Sequence, residues 1–269
     1  MKLKEWINTN REFFTEHDLR FLLKEKLSID ANLISRKDFL LDEASLIDLE
    51  EIKRVYTEGL PMAYILEKEE FFGLKFKVNS EVLIPRKETE LIVEKAIELI
   101  KKNNLKYILD LGCGSANIAI AISKSMKNRV NIFSSDISLQ ALMVAKTNSL
   151  SHDADIKLIN TDLFEGFKKS CFDLVVSNPP YVGSRDIKDS LKYEPLLALE
   201  AGSDGLAIIK KILFQSNLYL KKGGYLIMEI GYNQKELVEN MLQNIDSYEI
   251  IEWIKDYSGN WRGVILHSA

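Results

Sequence analysis

The chain has 269 residues, 46% of them hydrophobic and 28% charged, which excludes a disordered or collagen-like polymer and allows one large domain with a small partner. Lys and Arg total 36 against 40 Asp and Glu, with a net of −5 over residues 1–70 and +1 over the rest, so the basic excess that displaces counterions from nucleic acid is lacking. Cys113, Cys171 and the three histidines (His17, His152, His267) offer neither a disulfide framework nor metal-ligand spacing; with no apolar leader after Met1 and no run near the roughly 18 residues of a membrane span, a cytoplasmic protein without metal or membrane contact is expected.

Residues 1–66 read as a helical domain. Phe13, Phe14, Leu19, Phe21, Leu22 and Leu23 cluster at helical spacing among Lys and Glu, and Ser28, Ser35 and Ser45 stand where helix caps belong. Residues 67–87 read as a β-hairpin linker, with strands over Phe71–Val78 and Val82–Ile84 around a turn at Asn79-Ser80. Residues 88–269 form the third part. Its opening stretch, Glu88 to Lys101, has a helical period.

From Tyr107 onward short β-rich runs alternate with helical stretches. The strands are expected over Tyr107–Leu111, Val130–Ser134, Ile156–Ile159, Phe172–Ser177, Tyr225–Ile230, Glu249–Ile254 and Arg262–His267. Helices are expected over Asn117–Met126, Ser138–Ser149 and Leu206–Leu220. Such alternation predicts an α/β fold with a largely parallel sheet covered on both faces.

The first of these strands runs straight into Gly112-Cys-Gly-Ser-Ala116, and a helix opens behind it. Glycines at such a turn let a ligand approach the backbone, while the helix start offers free N–H groups. The full dinucleotide fingerprint is incomplete, because Asn117 stands where its third glycine belongs. The loop resembles that of S-adenosylmethionine methyltransferases, with Ala116 in place of the last glycine. Asp136 ends the second strand, about 20 residues on, where an acid accepts from ribose hydroxyls. Asp162 and Leu163 follow the third strand, where such folds meet adenine: Asp162 could accept from the exocyclic amine and Leu163 could cover the ring. For Asp136 alone, a helix cap is an equally good account.

The fourth strand leads into Asn178-Pro-Pro-Tyr181, beside the glycine turn. Prolines lack N–H groups and hold the chain extended, so the loop presents acceptors with few competing donors. The Asn178 oxygen and a loop carbonyl suit the two hydrogens of a planar NH₂ group, Pro180 continues the extended loop, and Tyr181 could supply a flat wall. Gripping both hydrogens aims an otherwise poor nucleophile, an amide or an aromatic amine, and stabilises the charge it develops.

These motifs resemble the protein-(glutamine-N5) methyltransferase family, specifically the release-factor glutamine methyltransferases. The resemblance also rests on Gly59-Leu-Pro-Met-Ala-Tyr-Ile65, Leu83-Ile-Pro-Arg-Lys-Glu-Thr-Glu90, Tyr193-Glu-Pro195, Leu199-Glu-Ala-Gly-Ser-Asp-Gly-Leu206 and Glu229-Ile-Gly-Tyr-Asn-Gln234. It implies a Rossmann-like methyltransferase sheet with a small N-terminal helical domain that recognises substrate and a linking hairpin. It further implies N5-methylation of the glutamine in the Gly-Gly-Gln loop of class 1 peptide chain release factors, with S-adenosylmethionine leaving as S-adenosylhomocysteine. By carry-over, Gly112, Cys113, Gly114, Ser115, Ala116, Asp136, Asp162, Leu163 and Asn178 would bind the cofactor, and Asn178, Pro179, Pro180 and Tyr181 the glutamine. Asn178, Pro179 and Tyr181 would be catalytic, and the enzyme is expected to act as a monomer. Three competing readings are a ribosomal-protein glutamine methyltransferase, an adenine-N6 methyltransferase using the same tetrapeptide on a flipped base, and a non-catalytic cofactor-binding protein of the translation machinery.

Overall fold

In the computed structural model, which describes residues 1–29 and 39–269, the N-terminal unit (Met1–Lys68) carries helices α1 (Leu3–Asn10), α2 (Glu16–Leu27), α3 (Glu43–Thr57) and the single turn α4 (Met62–Ile65). Trp6, Leu22, Leu49 and Ile52 form its core, and the Trp6 indole N–H donates to Glu50 across 2.7 Å. Phe13, grouped with the apolar set by spacing, is 46% exposed because it falls in the tight turn after α1 rather than on a helix face. The caps also differ from expectation. Thr15 and Asp42 cap α2 and α3, Ser45 lies inside the first turn of α3, and Ser28 ends α2 in a left-handed conformation. Asp42 outcompetes Ser45 because it stands three residues before an N–H it can accept from, at 2.8 Å. Ser35 lies outside the described residues.

The hairpin is built from β1 (Lys68–Phe71) and β2 (Leu74–Lys77), joined by Phe72-Gly73. Both link residues have positive φ, +52° and +71°, the signature of a tight hairpin turn. The turn is therefore earlier than Asn79-Ser80. That pair does form a turn, with Val82 N–H donating to the Asn79 carbonyl, but Val82 and Ile84 are buried outside any strand. Phe72, an aromatic strand former by composition, hid the true turn.

The second unit (Glu69–Ala269) holds a seven-stranded sheet of β3 (Tyr107–Leu111), β4 (Asn131–Asp136), β5 (Ile156–Asn160), β6 (Phe172–Ser177), β7 (Leu220–Glu229), β8 (Tyr248–Lys255) and β9 (Trp261–Ser268). Its order is β5-β4-β3-β6-β7-β9-β8; the first five are parallel and β9 runs antiparallel to both neighbours. Side chains alternate across it. Ile108, Leu174, Val176, Ile227 and Ile265 face a core shared with α5 (Thr89–Asn103), α6 (Asn117–Ser125) and α7 (Leu139–Ser151). Leu109, Val175, Leu226, Met228, Val264 and Leu266 face the opposite core with α8 (Ala207–Tyr219) and α9 (Lys235–Leu242). The central strands β3 and β6 are buried on both faces, which explains their near-continuous apolar sequences. Among the described residues no helix is long and apolar enough to cross a membrane.

Candidate active site

The chain order reverses between β3 and β6, and loops leaving adjacent strands in opposite directions open a crevice at such a point. Leu111 is level with Ser135 of β4 and Ser177 of β6, so the glycine turn and the Asn178 tetrapeptide start side by side. The Ser177 hydroxyl donates to the Leu111 carbonyl at 2.7 Å and pins the two strand ends together. In the turn, Gly112 and Cys113 N–H both donate to the Ser135 carbonyl, and φ is positive at Gly112, Gly114 and Ala116. Ala116, at +61° and fully buried, starts α6. Asn148 of α7 braces the turn from behind: its amide donates to the Ser115 and Lys77 carbonyls and accepts from Lys77 N–H.

Two carboxylates lie at this turn. Asp136 accepts from Gly114 N–H at 2.8 Å through one oxygen and from Ser138 N–H at 2.9 Å through the other. It is thus the strand-end acid tying the glycine turn to the approach to α7, whose own cap is Ser138, and burial raises its pKa against those hydrogen bonds. Asp110 lies deeper. One oxygen accepts from Ala119 N–H at 3.1 Å, the other is buried with no partner among the described residues, and burial pushes its pKa up to about 7, with the charge of Asp136 adding. Cys113 is also buried, and its thiol is pushed well above the ordinary value.

Around the turn lies a cleft of about 320 Å³, within the usual range for small-molecule sites. Gly112 to Ser115, Asp136, Asp162, Leu163, Asn178, Pro179 and Pro180 line it, so most of the residues singled out by sequence come together there. Ala116 and Tyr181 do not line it. Ala116 is buried at the helix start, and the Tyr181 ring packs on the core while its hydroxyl donates to Glu229 at 3.1 Å. The flat wall expected of Tyr181 is therefore absent from the cleft in this state.

Behind the tetrapeptide lies a buried hydrogen-bond chain. Asn178 Nδ2 donates to the Thr89 hydroxyl at 3.1 Å, and Thr89 donates to Glu229 at 2.7 Å. Glu229 is 1% exposed, and burial pushes its pKa up to about 7 against the pull of the Thr89 and Tyr181 hydrogen bonds and of Arg262. The Tyr181 phenol is raised by burial and by the Glu229 charge. Glu194, within the Tyr193-Glu-Pro195 segment, is buried, paired with Arg86 and accepting from Ile84 N–H at 3.1 Å. Leu196 and Leu197, just after it, line the cleft and are over half exposed.

Sequence reasoning missed Ile137, Val82 and Pro85 on the cleft wall and the part played by Glu229. Glu229 carried a readable signal: an acid ending an otherwise apolar strand must find partners or stay protonated. Val82 and Ile137 carried none, being ordinary apolar residues beside turns, whereas Pro85 lies within the Leu83–Glu90 segment.

This fold and cleft define a Rossmann-like methyltransferase. The model of the methyltransferase small domain matches residues 88–197. The fold is similar to that of a methyltransferase from Pyrococcus furiosus (TM-score 0.54, 17% identity, 84% of this chain and 98% of that one). A ribosomal protein L11 methylase from Lactobacillus delbrueckii subsp. bulgaricus shares it as well (TM-score 0.52, 22% identity, 71% of this chain and 83% of that one). In sequence, the release factor glutamine methyltransferase of Clostridium acetobutylicum is 39% identical over 93% of this chain and 90% of its own length. That of Buchnera aphidicola is 36% identical over 98% of each. The chain belongs to the release factor glutamine methyltransferase family.

Proposed function

We propose that this enzyme methylates the N5 amide nitrogen of the Gly-Gly-Gln glutamine of class 1 release factors, using S-adenosylmethionine, as a cytoplasmic monomer. The observation that carries the reading is the meeting of Asn178-Pro-Pro-Tyr181 with the glycine turn at the sheet's switch point. The domain reading goes with it: residues 1–66 would recognise the release factor, 67–87 would link, and 88–269 would perform the transfer. Both cysteines are free, which suits a reducing compartment.

The residues present fit the cofactor. The unpartnered, buried Asp110 oxygen offers a negative site under the turn for an ammonium group, and the Asp136 carboxylate retains lone pairs for ribose hydroxyls. Leu163 and Ile137 offer apolar cover for a purine, with Asp162 beside them for its amine. Gly112, Cys113, Gly114 and Ser115 would hold the amino-acid end while Ala116 sets the turn, and Asn178 would close the site toward the substrate. When bound, S-adenosylmethionine would supply an electrophilic sulfonium methyl, whose transfer to the amide nitrogen would leave S-adenosylhomocysteine and give one amide proton to solvent.

The protein's part is orientation. The Asn178 side-chain oxygen and the Pro179 carbonyl would accept the two amide hydrogens, turning the nitrogen lone pair toward the methyl and stabilising positive charge on nitrogen. Pro180 contributes no N–H that could compete, and Tyr181 holds the loop through Glu229.

The test is methyl transfer from labelled cofactor to unmethylated release factor, to the same factor with its loop glutamine replaced, to ribosomal protein, and to adenine-containing DNA and RNA. Label on the intact factor alone is expected, with Asn178→Ala lowering kcat far more than cofactor affinity. Label only on ribosomal protein or nucleic acid would overturn the assignment; cofactor binding without transfer to any acceptor would favour a docking protein.

A further inference from the structure

An asparagine that must accept hydrogen bonds from a substrate NH₂ has a problem of its own. Its amide can be turned by half a revolution at almost no change in shape, which presents NH₂ to NH₂ and abolishes the grip. The chain behind Asn178 prevents this. An ionised carboxylate has no proton to give, so Glu229 accepts from Thr89 through one oxygen and from Tyr181 through the other. The single Thr89 proton is thereby used, and its hydroxyl has only lone pairs left for Asn178. Asn178 must then offer its NH₂ to Thr89, as it does, and its Oδ1, which has no protein donor among the described residues, is the end left to accept from a ligand.

We propose that Glu229 is a positioning residue: acting through the Thr89 hydroxyl, it fixes which end of the Asn178 amide is turned to the substrate nitrogen. The inference rests on the reading of Asn178 as the amide acceptor. It also explains why a carboxylate ends β7 behind the cleft without lining it.

The direction of the chain depends on charge. A protonated Glu229 can donate to Thr89, which frees the Thr89 proton for the Asn178 oxygen and turns the amide. The groups facing Glu229 from the elements around it are Thr89 and Glu88 at the start of α5, Tyr181 after β6 and Arg262 on β9. Arg262 favours the ionised form, Glu88 opposes it, and burial outweighs both, bringing the transition to about 7.

The test uses the full chain and two readouts. In the first, the Asn178 side-chain ¹⁵N–¹H₂ resonances are followed against pH without substrate; one transition near pH 7 is expected, absent in Glu229→Gln and in Thr89→Val. In the second, wild-type kcat for transfer to the release factor is expected to fall as pH drops through that transition. Glu229→Gln offers either end of an amide to Thr89, and its kcat should be about tenfold lower at pH 8 and flat on the acid side, with the KM for cofactor within about twofold. Thr89→Val should match it, and Thr89→Ser should recover most of the loss. Wild-type kcat with an unchanged acid limb in Glu229→Gln, or an Asn178 resonance blind to pH, would overturn the proposal. No transfer by the wild type on any glutamine substrate would instead overturn the functional reading, and the resonance titration would still decide the orientation.

Discussion

Gly205 has φ of +70°, and a Cβ there would collide with the Tyr181 carbonyl oxygen, with Gly183 N at 3.1 Å just beyond. Those are backbone atoms of the segment that follows Asn178, and neither can step aside as a side-chain tip would. The Gln234 amide also bridges the Tyr181 and Gly205 carbonyls, at 3.1 Å each. Gly112 makes the contrast: its φ is +72°, yet none of the described residues comes within 4 Å of the added carbon. Gly112→Ala is expected to cost only the left-handed backbone term, about 1 kcal/mol, a conformation Ala116 already adopts four residues on. Gly205→Ala carries that term plus overpacking, about 2–4 kcal/mol in all, and should displace the tetrapeptide. Thermal unfolding of the two variants, with kcat beside it, checks the difference; equal melting temperatures would contradict the contact argument.

At the scale of elements, α7 connects parts of the site that no strand pairing joins. Asn148 makes three hydrogen bonds from one buried side chain, at 2.7, 3.0 and 3.0 Å, to Lys77 at the end of β2 and to Ser115 in the glycine turn. Asn148→Ala strands those groups in a dry interior, at about 2–4 kcal/mol. The cofactor Kd should rise several-fold, because the turn loses its brace; calorimetric titration against the wild type reads this directly, and an unchanged Kd would confine Asn148 to the fold. Nothing in the local sequence around Asn148 announces this, since its partner Lys77 lies 71 residues away. What was legible depended on short-range signals. β3 and β6 have the bounds expected of them, as apolar runs ended by a glycine turn and by a proline pair. Helix α9 was missed, because its eight residues carry only two buried apolar positions, Val238 and Leu242. β7 starts five residues earlier than expected: Lys221-Lys-Gly-Gly224 reads as a loop, yet it continues the strand from Leu220. The insertion of β9 between β7 and β8 is a long-range pairing that periodicity does not encode.

For the whole molecule, the buried acids separate the pH at which the enzyme is most stable from the pH at which it is most active. Asp110 and Glu229 both hold their protons up to about 7 in the fold, against 3.8 and 4.5 for the free groups. The folded state therefore binds more protons than the unfolded chain between about pH 4 and 7, and the stability they contribute is fully present below that window and lost as pH rises through it. Asp256 has the opposite sign but acts outside the window: its hydrogen bond with Arg262 draws it down to about 2, so its contribution is present above 3.8 and lost only as pH falls toward 2. The melting temperature is thus expected to be higher at pH 5.5 than at pH 8, by the equivalent of a few kcal/mol. Asp110→Asn should flatten that slope, since an amide neither gains nor loses the proton. On the proposed grip by Asn178, transfer is expected to run the other way, because that grip needs an ionised Glu229. Between pH 8 and 6 activity should fall while the melting temperature climbs, and that divergence separates a titrating positioning residue from acid unfolding. A melting temperature that failed to climb over this range would show that the fold does not hold these acids protonated, and would remove the charge logic from both the core and the site.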